Sequence, residues 1–573
     1  MLLNDTQHKS RHANSDIAVF DFLTCQYGED KATMYAWCFK YKGEYTIGRT
    51  YYEYSKFISR FTRGAECYYL AYTADIRAFY TYFRGRVQNT HKNPVEFKKS
   101  PSKATQISQI AQVTVGDIVY RDITKLIDID MPKPTFDTSL IRHSQTPLTV
   151  EIDYLKARVD YIESMLVKYG ITIETSWQSI QNKTRAVIKK HYNEMTNYEK
   201  AVHQNNTRVN EEQFNIIRNA VRGGVCMAST DKIGVTLTDV RSFDATSHYP
   251  TQLVYKKFPV KAVFMDRREG IKLNSNYLYI VEVEFFNLRT RNDSLPYWKC
   301  DTEKGDVVDG LKERSGNVFS AMYYKTTMTS VDMVTFSKFY EWDSYTIINA
   351  VKFTSGYLPK FMTDTVWEMF NAKEATRGTP QGAINKAGLN SIWGLTSSKY
   401  VTYNKYDKNL CRKFNVAWGA FITAYARQEL LDKILEVGSD FVYCDTDSIK
   451  MINYEKHTHL FTLGRELGQW KDEGNYEVFK TLGKKKYACI KNGVLDVTFS
   501  GLNKEFVLSS VTDKELFVDT LRTGCTLQKA VKRAYIIHEK IHENITDYLG
   551  NAYTVYENRC LCECMEDFTI KRG

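Results

Sequence analysis

The sequence predicts a multidomain protein of mixed class, combining α/β and α+β parts. The chain has 573 residues, more than one ordinary domain holds. Its 43% hydrophobic and 25% charged residues are typical of a globular protein with a large core. Strand-like and helix-like apolar patterns alternate along it, with only 10 prolines and no low-complexity linker between them. We therefore expect several interlocked domains.

The first third of the chain has the pattern of an α/β unit that ends near residue 185. We expect the first twenty residues, which are polar, to be frayed. Residues 17–22 and 34–41 are apolar and aromatic, as strands are. Residues 154–169 are predicted as a helix, since apolar side chains recur there at helical spacing: Leu155, Val159, Ile162 and Leu166.

The rest of the chain alternates predicted strands with helices. After Gly501 the pattern predicts a helical stretch and then a terminal pair of strands. The earlier elements are a strand over 240–249 that leads into a turn at Pro250, an alternating strand over 277–286, helical sequence over 361–394 broken at 378–380, and a hairpin over 441–451.

Charge and cysteine content narrow the class of protein. A net charge of +11 favours phosphate-containing partners, although many basic proteins bind no nucleic acid. The 12 cysteines are dispersed and form no Cys-x-x-Cys pair, which indicates a reduced cytoplasmic protein. Cys560, Cys562 and Cys564 alternate, as on a buried strand face rather than a zinc site. No apolar run approaches ~20 residues, so we expect no transmembrane helix.

The strongest chemical signal is the acidic tip of the hairpin over 441–451. Asp445 and Asp447 lie two apart, and strand alternation would aim both carboxylates the same way. Like charges at that separation require a cation, and Mg²⁺ prefers carboxylate and phosphate oxygens. An isolated Asp-x-Asp is more often a solvated turn, but the apolar flanks Tyr443 and Ile449 favour a built site.

Two further elements point to phosphate chemistry. Asp244 ends a predicted strand, and the turn after it could cradle phosphates or be a plain strand end. Lys386, Asn390 and Trp393 are spaced four and three apart, so they share one helical face. A cation, an amide and a ring on one face suit a nucleoside triphosphate; the alternative is a surface lysine above a half-buried tryptophan.

Together these elements resemble the signature of family B DNA polymerases. The residues that carry it are Asp244 with Ser247, Tyr249 and Pro250, then the Lys386 helix that ends in an aromatic residue and glycine, then Tyr443 to Ser448. Further matches resemble the protein-primed branch found in phi-29-like bacteriophages. They are Arg222-Gly223-Gly224, where Val221 replaces the branch's tyrosine, Lys485-Lys486-Tyr487, and the chain end over 567–571.

The resemblance implies a right-hand polymerase of palm, fingers and thumb, preceded by an RNase H-like exonuclease-type domain. Its implied boundaries are 1–185 for the exonuclease-like domain, 186–255 and 419–505 for the palm, 256–356 for an insertion that contacts a terminal protein, 357–394 for the fingers, 395–418 for a shortened hairpin insertion, and 506–573 for the thumb. That hairpin is rich in lysine and tyrosine, which suits DNA tracking or a solvated surface equally.

The resemblance also implies the role of each site residue. Asp244, Asp445 and Asp447 would be catalytic, and Asp244, Ala245 and Asp447 would hold two Mg²⁺ ions, with Mn²⁺ as an alternative. Lys386, Asn390, Trp393, Ala245 and Tyr249 would bind the nucleotide, with Tyr249 as a steric gate against ribose. Arg222, Gly223, Gly224, Thr446, Lys485 and Tyr487 would contact primer or DNA. Trp393 stands where the family usually has tyrosine, which puts nucleotide selection in question.

The exonuclease motifs are incomplete. Leu23 replaces the glutamate of the first motif after Asp21, and Arg158 replaces the aspartate that should follow Tyr154 by four residues. Asp75 remains from the second motif. Asp160 would lie about 200° around a helix from Arg158 and could not take its place. We expect Asp21 and Asp75 to be remnants in a degenerate domain.

The predicted function is template-directed DNA synthesis from dNTPs on a phage-type linear genome. The implied partners are primer-template DNA and a terminal protein, with no membrane, a monomeric state and a place in the cytoplasm of an infected bacterial host. Two alternatives stay open, a non-catalytic nucleic-acid-binding replication protein and a 3′–5′ exonuclease.

Overall fold

A computed structural model of the chain describes residues 13–26, 32–49, 51–61, 68–73, 96–99, 110–115, 118–123, 149–168, 180–265, 270–397, 402–403, 410–411, 414–500, 504–509, 511–522, 526–546 and 552–569. The chain divides into two compact units. The first comprises residues 1–183, 378–384 and 530–566, and the second comprises residues 184–377, 385–529 and 567–573.

The first unit is built on a mixed seven-stranded sheet of order β3-β2-β1-β4-β7-β6-β5, in which β1, β4 and β7 run parallel. Helix α2 packs against β1 and β2. The elements are β1 (Ala13–Gln26), β2 (Ala32–Tyr41), β3 (Glu44–Gly48), α1 (Tyr51–Phe61), β4 (Tyr68–Thr73), β5 (Glu96–Lys99), β6 (Ile110–Val115), β7 (Ile118–Asp122) and α2 (Thr149–Lys168). The expected strands and helix are present, but β1 begins at Ala13, so the expected fraying to residue 20 is wrong from there on.

The second unit begins with helices and then enters the sheet that carries Asp244, Asp445 and Asp447, named the catalytic sheet for these predicted catalytic acids. Capping boxes at Thr196 and Asn210 start two of the helices. The elements are α3 (Ile180–Glu194), α4 (Asn197–Asn206), α5 (Glu211–Asn219), β8 (Cys226–Ala228), β9 (Thr236–Ala245) and α6 (His248–Tyr255). The predicted turn at Pro250 is wrong, since Pro250 is the third residue of α6, within the first helical turn, where proline is tolerated.

Residues 258–356 form a second seven-stranded sheet. Its strand order is β10-β16-β11-β14-β12, with β13 paired to β14 and β15 to β11. The elements are β10 (Phe258–Val263), β11 (Tyr277–Thr290), β12 (Val307–Asp309), β13 (Lys312–Arg314), β14 (Asn317–Thr329), α7 (Ser330–Phe339), β15 (Tyr340–Glu341) and β16 (Ser344–Gly356). This is the segment that the resemblance assigns to an insertion.

Long helices and a short hairpin follow. The predicted break falls between α8 and α9, where Gly378 has a positive φ of 76°. The elements are α8 (Lys360–Ala375), α9 (Pro380–Thr396), β17 (Thr402–Tyr403), β18 (Leu410–Cys411) and α10 (Trp418–Val437). Among the described helices, none is long and apolar enough to cross a membrane.

The catalytic sheet is fully antiparallel, with the order β23-β22-β21-β9-β20-β19-β8. Its remaining strands are β19 (Phe441–Asp445), β20 (Ser448–Met451), β21 (Trp470–Thr481), β22 (Lys486–Lys491) and β23 (Val494–Phe499). The chain then forms α11 (Lys504–Ser509), α12 (Lys514–Thr520) and the hairpin of β24 (Thr526–Thr546) and β25 (Ala552–Thr569), as the sequence predicted.

One apolar core joins the two seven-stranded sheets of the second unit. Residues of the catalytic sheet such as Phe243, Cys444 and Ile449 share it with Val281 and Phe285 of β11. The opposite face of the catalytic sheet has its own small core around Val442 and Tyr443. The acidic hairpin is therefore held from both faces, which fixes the position of its tip.

Candidate active site

Three strands bring the predicted acids to one end of the catalytic sheet. Asp244, one residue before the end of β9, pairs with Ser448 at the start of β20. On its other side Ser448 pairs with Asp445, the last residue of β19. The amide of Ala245 donates a 2.7 Å hydrogen bond to the carbonyl oxygen of Asp447. Sheet register thus places Asp244 beside the acidic turn although the two segments are far apart in sequence.

Strand alternation does not continue through the acidic turn. Thr446 has a φ of 61°, in the left-handed region, so the expectation that alternation aims both carboxylates the same way is wrong. Asp445 accepts hydrogen bonds from Lys485 Nζ at 2.7 Å and from the Thr446 hydroxyl at 3.1 Å. Asp447 acts electrostatically on Asp244 instead. The two acids therefore have different partners.

Burial and neighbouring negative charges raise the pKa values of Asp244 and Asp447, the two inner acids. Burial first, and then the charges of Asp447 and Glu473, raise the pKa of Asp244 to about 7, although Lys386 and Lys471 oppose the rise. Burial likewise raises the pKa of Asp447, opposed by His248 and Lys386. Negative charge is thus crowded at this end of the sheet.

The donor set suits a divalent cation shared with a substrate. Asp244 and Asp447 offer buried carboxylates whose mutual repulsion a cation would relieve, and Ala245 offers a main-chain carbonyl beside them. Within the described residues, no three His, Cys, Asp or Glu side chains form a ready-made metal cluster. Phosphate oxygens would have to complete the coordination, as is usual for Mg²⁺.

Two of the predicted nucleotide residues, Tyr249 and Lys386, lie near these acids. The ring of Tyr249, on α6, lies 5.5 Å from that of Trp393, whose indole Nε1 donates to the carbonyl oxygen of Gly419 at 3.1 Å. Lys386 and Asn390 are exposed on α9, and the charge of Lys386 reaches both Asp244 and Asp447. The structure therefore brings the Lys386 helix and the acidic turn together.

Sequence reasoning missed several charged residues at this site. Lys373, on α8, donates a hydrogen bond to the Ser247 hydroxyl at 3.0 Å and so reaches the turn after Asp244. Lys471 pairs with Asp244 across the sheet. Arg427, buried in α10, is ion-paired with Asp332. Their positions depend on tertiary packing, and no local pattern in the sequence marks them.

The glycine loop, residues 222–224, lies against the acidic turn, and the side chain of Arg222 is paired inside the fold. Its guanidinium is mostly buried, bonds to Asp306 and the Thr326 hydroxyl, and lies 4.8 Å from the Trp298 ring. The prediction that Arg222 contacts primer or DNA stays a prediction, and the ion pair with Asp306 uses the charge of its side chain inside the fold. Gly223 and Gly224 are exposed.

The predicted primer residues lie beside Asp445. Lys485, with its Nζ on that carboxylate, also donates its amide to the Tyr443 hydroxyl at 3.2 Å. Tyr487, on β22, packs edge-on against Tyr443, with ring centroids 5.3 Å apart. The 395–418 hairpin holds the lysines and tyrosines predicted to track DNA. Tyr403 lies in β17, and the others lie outside the described residues: Lys399, Tyr400, Lys405, Tyr406 and Lys408.

In the first unit, two residues of the predicted exonuclease motifs form an internal ion pair. Arg158 Nε donates to the carboxylate of Asp21, and both side chains are almost fully buried. Arg158 also donates to the Tyr154 hydroxyl at 3.2 Å. Asp160 is bound by Lys40 at 2.7 Å, in agreement with its predicted place away from Arg158. Asp75 lies outside the described residues.

Comparison with known proteins agrees with this geometry. Residues 119–461 match the family described as DNA polymerase type B, organellar and viral, which is more than half of the chain. The chain belongs to this family. It is a DNA-directed DNA polymerase of the phage type, and its fold class and enzyme class are those that the sequence predicted.

Relatives of the polymerase are DNA polymerases of bacteriophages. It is 21% identical to the DNA polymerase of Streptococcus phage Cp-1 over 483 residues, which cover 75% of this chain and 80% of that one. It is 24% identical to the DNA polymerase of Bacillus phage Nf over 291 residues, which cover 47% of this chain and 49% of that one.

Solved structures show the same fold. The phi29 DNA polymerase in complex with primer-template DNA and incoming nucleotide matches with a TM-score of 0.69 at 16% identity, over 97% of this chain and 100% of that chain. The phi29 polymerase in complex with single-stranded DNA matches with a TM-score of 0.68 over the same shares. The right-hand polymerase architecture predicted from sequence is thereby confirmed.

Proposed function

We propose that this polymerase replicates a linear phage-type genome by two-metal nucleotidyl transfer from a dNTP to a primer hydroxyl. The observation that carries the proposal is the meeting of Asp244 and Asp447 at one end of the catalytic sheet, where burial and repulsion raise the pKa of each. Two buried acids of this kind need a cation, and an incoming triphosphate would supply its remaining oxygen ligands.

Asp244, Asp447 and the carbonyl of Ala245 would hold the two Mg²⁺ ions, with Asp445 as an auxiliary acid. When bound, such ions lower the pKa of the attacking hydroxyl and neutralise the leaving pyrophosphate. Asp445 is held by Lys485 at 2.7 Å, so it would orient that lysine toward the primer strand. Thr446 and Tyr487 would flank the same path.

The incoming nucleotide would lie between α9 and α6. Lys386 would pair with the triphosphate as a mobile point charge, because its charge already reaches both inner acids. Asn390 and the half-buried Trp393 would line the pocket on the same helix face. Tyr249, packed on Trp393, would exclude a ribose 2′-hydroxyl.

Primer extension tests the proposal against its rivals. With Mg²⁺, dNTPs and a primed template, the intact protein should extend the primer and the Asp447→Ala variant should not. A DNA-binding protein without catalysis would bind the duplex but extend nothing. A nuclease would shorten the primer in both forms. Either of the last two results would overturn the proposal.

We also propose that the first unit does not hydrolyse DNA. Arg158 places a cation on Asp21 where the family would hold a metal ion, and Leu23 is buried and has no ligand atom. End-labelled single-stranded DNA with Mg²⁺ should stay intact. Robust degradation that Asp21→Ala abolishes would contradict this, whereas a gain of degradation in the double variant Leu23→Glu, Arg158→Asp would support it.

The primer is proposed to be a terminal protein, in the cytoplasm of an infected bacterial host, with the polymerase acting as a monomer. This rests on the resemblance of the chain to protein-primed phage polymerases. An initiation assay that transfers radiolabelled dAMP to a candidate terminal protein, run beside extension of a DNA primer, tests it. Extension of the DNA primer without labelling of the terminal protein would contradict protein priming and support a polymerase that uses DNA primers.

A further inference from the structure

We infer that Gly224 is a positioning residue for nucleotide sugar selection: its missing side chain leaves the space in which the Tyr249 hydroxyl and the Thr446 side chain sit. This inference rests on the proposed role of Tyr249 as the steric gate. It adds a residue, outside the nucleotide pocket, on which the position of that gate depends.

The space beside Gly224 is filled by these two neighbouring side chains. A Cβ atom at Gly224 would lie 2.9 Å from Tyr249 Oη, 2.8 Å from Thr446 Cγ2 and 2.9 Å from Thr446 Oγ1. Real Cβ contacts are never this short, so something must move to admit even a methyl group. Gly224 has no left-handed φ, and the conflict is therefore one of space alone.

The glycine loop cannot relieve the conflict by moving away, because it is fixed on both sides of Gly224. On one side Arg427 donates to the carbonyl oxygens of Gly223 at 2.6 Å and Arg222 at 3.2 Å. On the other side the carbonyl of Val225 accepts the amide of Thr446 at 2.7 Å. Arg427 is itself held in its buried ion pair.

The acidic turn is equally constrained. The carbonyl of Thr446 accepts a hydrogen bond of 3.2 Å from His248 Nδ1, which ties the turn to the first residue of α6. The Thr446 hydroxyl donates to Asp445 at 3.1 Å. Moving the Thr446 backbone would disturb Asp445 and Asp447, so the side chains of Thr446 and Tyr249 are the parts that can yield.

A displaced Tyr249 would change its position relative to the sugar of the nucleotide. The ring packs on Trp393 at 5.5 Å and is half-buried, so a shift of a few tenths of an ångström at the hydroxyl tilts the whole ring. A ribose differs from a deoxyribose by a single oxygen atom. Discrimination between the two sugars is therefore sensitive to a displacement of the Tyr249 ring of that size.

The test compares Gly224→Ala with Gly223→Ala. A Cβ at Gly223 meets nothing within 4 Å, so this neighbouring variant controls for the added methyl and for loop stiffness. We expect Gly224→Ala to lower the ratio of kcat/KM for dNTP over rNTP by about tenfold, and Gly223→Ala to leave it within about twofold. An unchanged ratio in Gly224→Ala, or an equal loss for both nucleotides, would overturn the inference.

A second-site variant locates the contact. Tyr249→Phe removes the hydroxyl that meets the added methyl and keeps the ring, so Gly224→Ala combined with Tyr249→Phe should discriminate as Tyr249→Phe alone does. If Gly224→Ala uses neither nucleotide, the same double variant is measured in its place. Recovery of selective synthesis supports the inference, and continued inactivity overturns it.

Failure of the gate and failure of the inference give different results. If Tyr249→Ala leaves the dNTP preference intact, Tyr249 is not the gate and the proposed role of Tyr249 falls with the inference. If Tyr249→Ala relaxes the preference while Gly224→Ala does not, the gate stands and only the role of Gly224 is refuted. Thermal melting of each variant confirms that folded proteins are compared.

Discussion

The amide of Ala245 donates a hydrogen bond to the carbonyl of Asp447 at 2.7 Å, and this contact joins the two segments that carry the inner acids. It holds the end of β9 against the tip of the hairpin, where Thr446 adopts a left-handed backbone. Such a conformation costs energy and persists only where the surroundings fix it. The relative positions of Asp244 and Asp447 are thus held by backbone contacts.

Replacing either inner acid should slow synthesis strongly without unfolding the protein. Asp244→Asn and Asp447→Asn each keep shape but lose a cation ligand, so single-turnover extension should slow by about a hundredfold or more. Asp239→Asn is the matched control, because Asp239 is an exposed residue of the same strand. Extension by Asp244→Asn at the rate of the control would contradict the assignment.

Removing Arg427 should cost much of the stability of the second unit. Its ion pair with Asp332 is buried, with side-chain exposures of 4% and 2%, so Arg427→Met leaves an uncompensated carboxylate. We expect a loss of about 3–5 kcal/mol in the free energy of unfolding. Lys338→Met breaks the exposed pair with Asp432 and should cost less than about 1 kcal/mol in the same urea titration. Equal losses would show that the buried pair is not special.

The contribution of Lys484 to the free energy of unfolding should change with pH in the alkaline range. Burial lowers the pKa of its ammonium group from 10.5 to about 8. Between these values the unfolded chain holds a proton that the folded protein has released, so the wild-type protein gains stability as pH rises. Lys484→Met lacks this gain. The free energy of unfolding of Lys484→Met, relative to that of the wild type, should therefore fall by about 1–3 kcal/mol between pH 7 and 10. Urea unfolding at several pH values measures this, and a difference that does not change with pH would contradict the burial effect.

Lys485 should contribute one phosphate contact to DNA binding. Its Nζ is half-exposed on Asp445, as that of Lys504 is on Asp496. Lys485→Gln should weaken primer-template binding and reduce the slope of log affinity against log salt by about one. Lys504→Gln, on α11, should leave the slope unchanged. Fluorescence anisotropy at several salt concentrations measures both, and identical slopes would exclude Lys485 from the interface.

The sequence alone predicted the elements whose signals are local. The hairpin over 441–451 and the helix break at Gly378 follow from apolar patterning and turn residues, and both are present. The features that the sequence did not predict depend on contacts between distant parts of the chain. The alternation of strand residues did not predict the left-handed backbone of Thr446. The motif match did not show that Arg222 forms an ion pair with Asp306. Contacts made across the sheets decide such cases.

Packing also explains the residues that no pattern marked. Lys373 reaches Ser247 only because α8 lies beside α6. The replacement of two expected exonuclease acids by Leu23 and Arg158 is visible in the sequence. The ion pair between Arg158 and Asp21 became visible only in the structure. Sequence identifies which chemistry is present or missing, and tertiary contacts determine which charges remain available to a substrate.

The ion pair between Arg427 and Asp332 has a consequence for the evolution of this enzyme. Asp332 comes from the segment over 258–356, whereas Arg427 comes from the helix that supports the acidic turn. The same segment shares its apolar core with the catalytic sheet. We therefore expect that deletion of residues 258–356 leaves Arg427 without its carboxylate partner and exposes that core, so that changes in the two parts are constrained by each other.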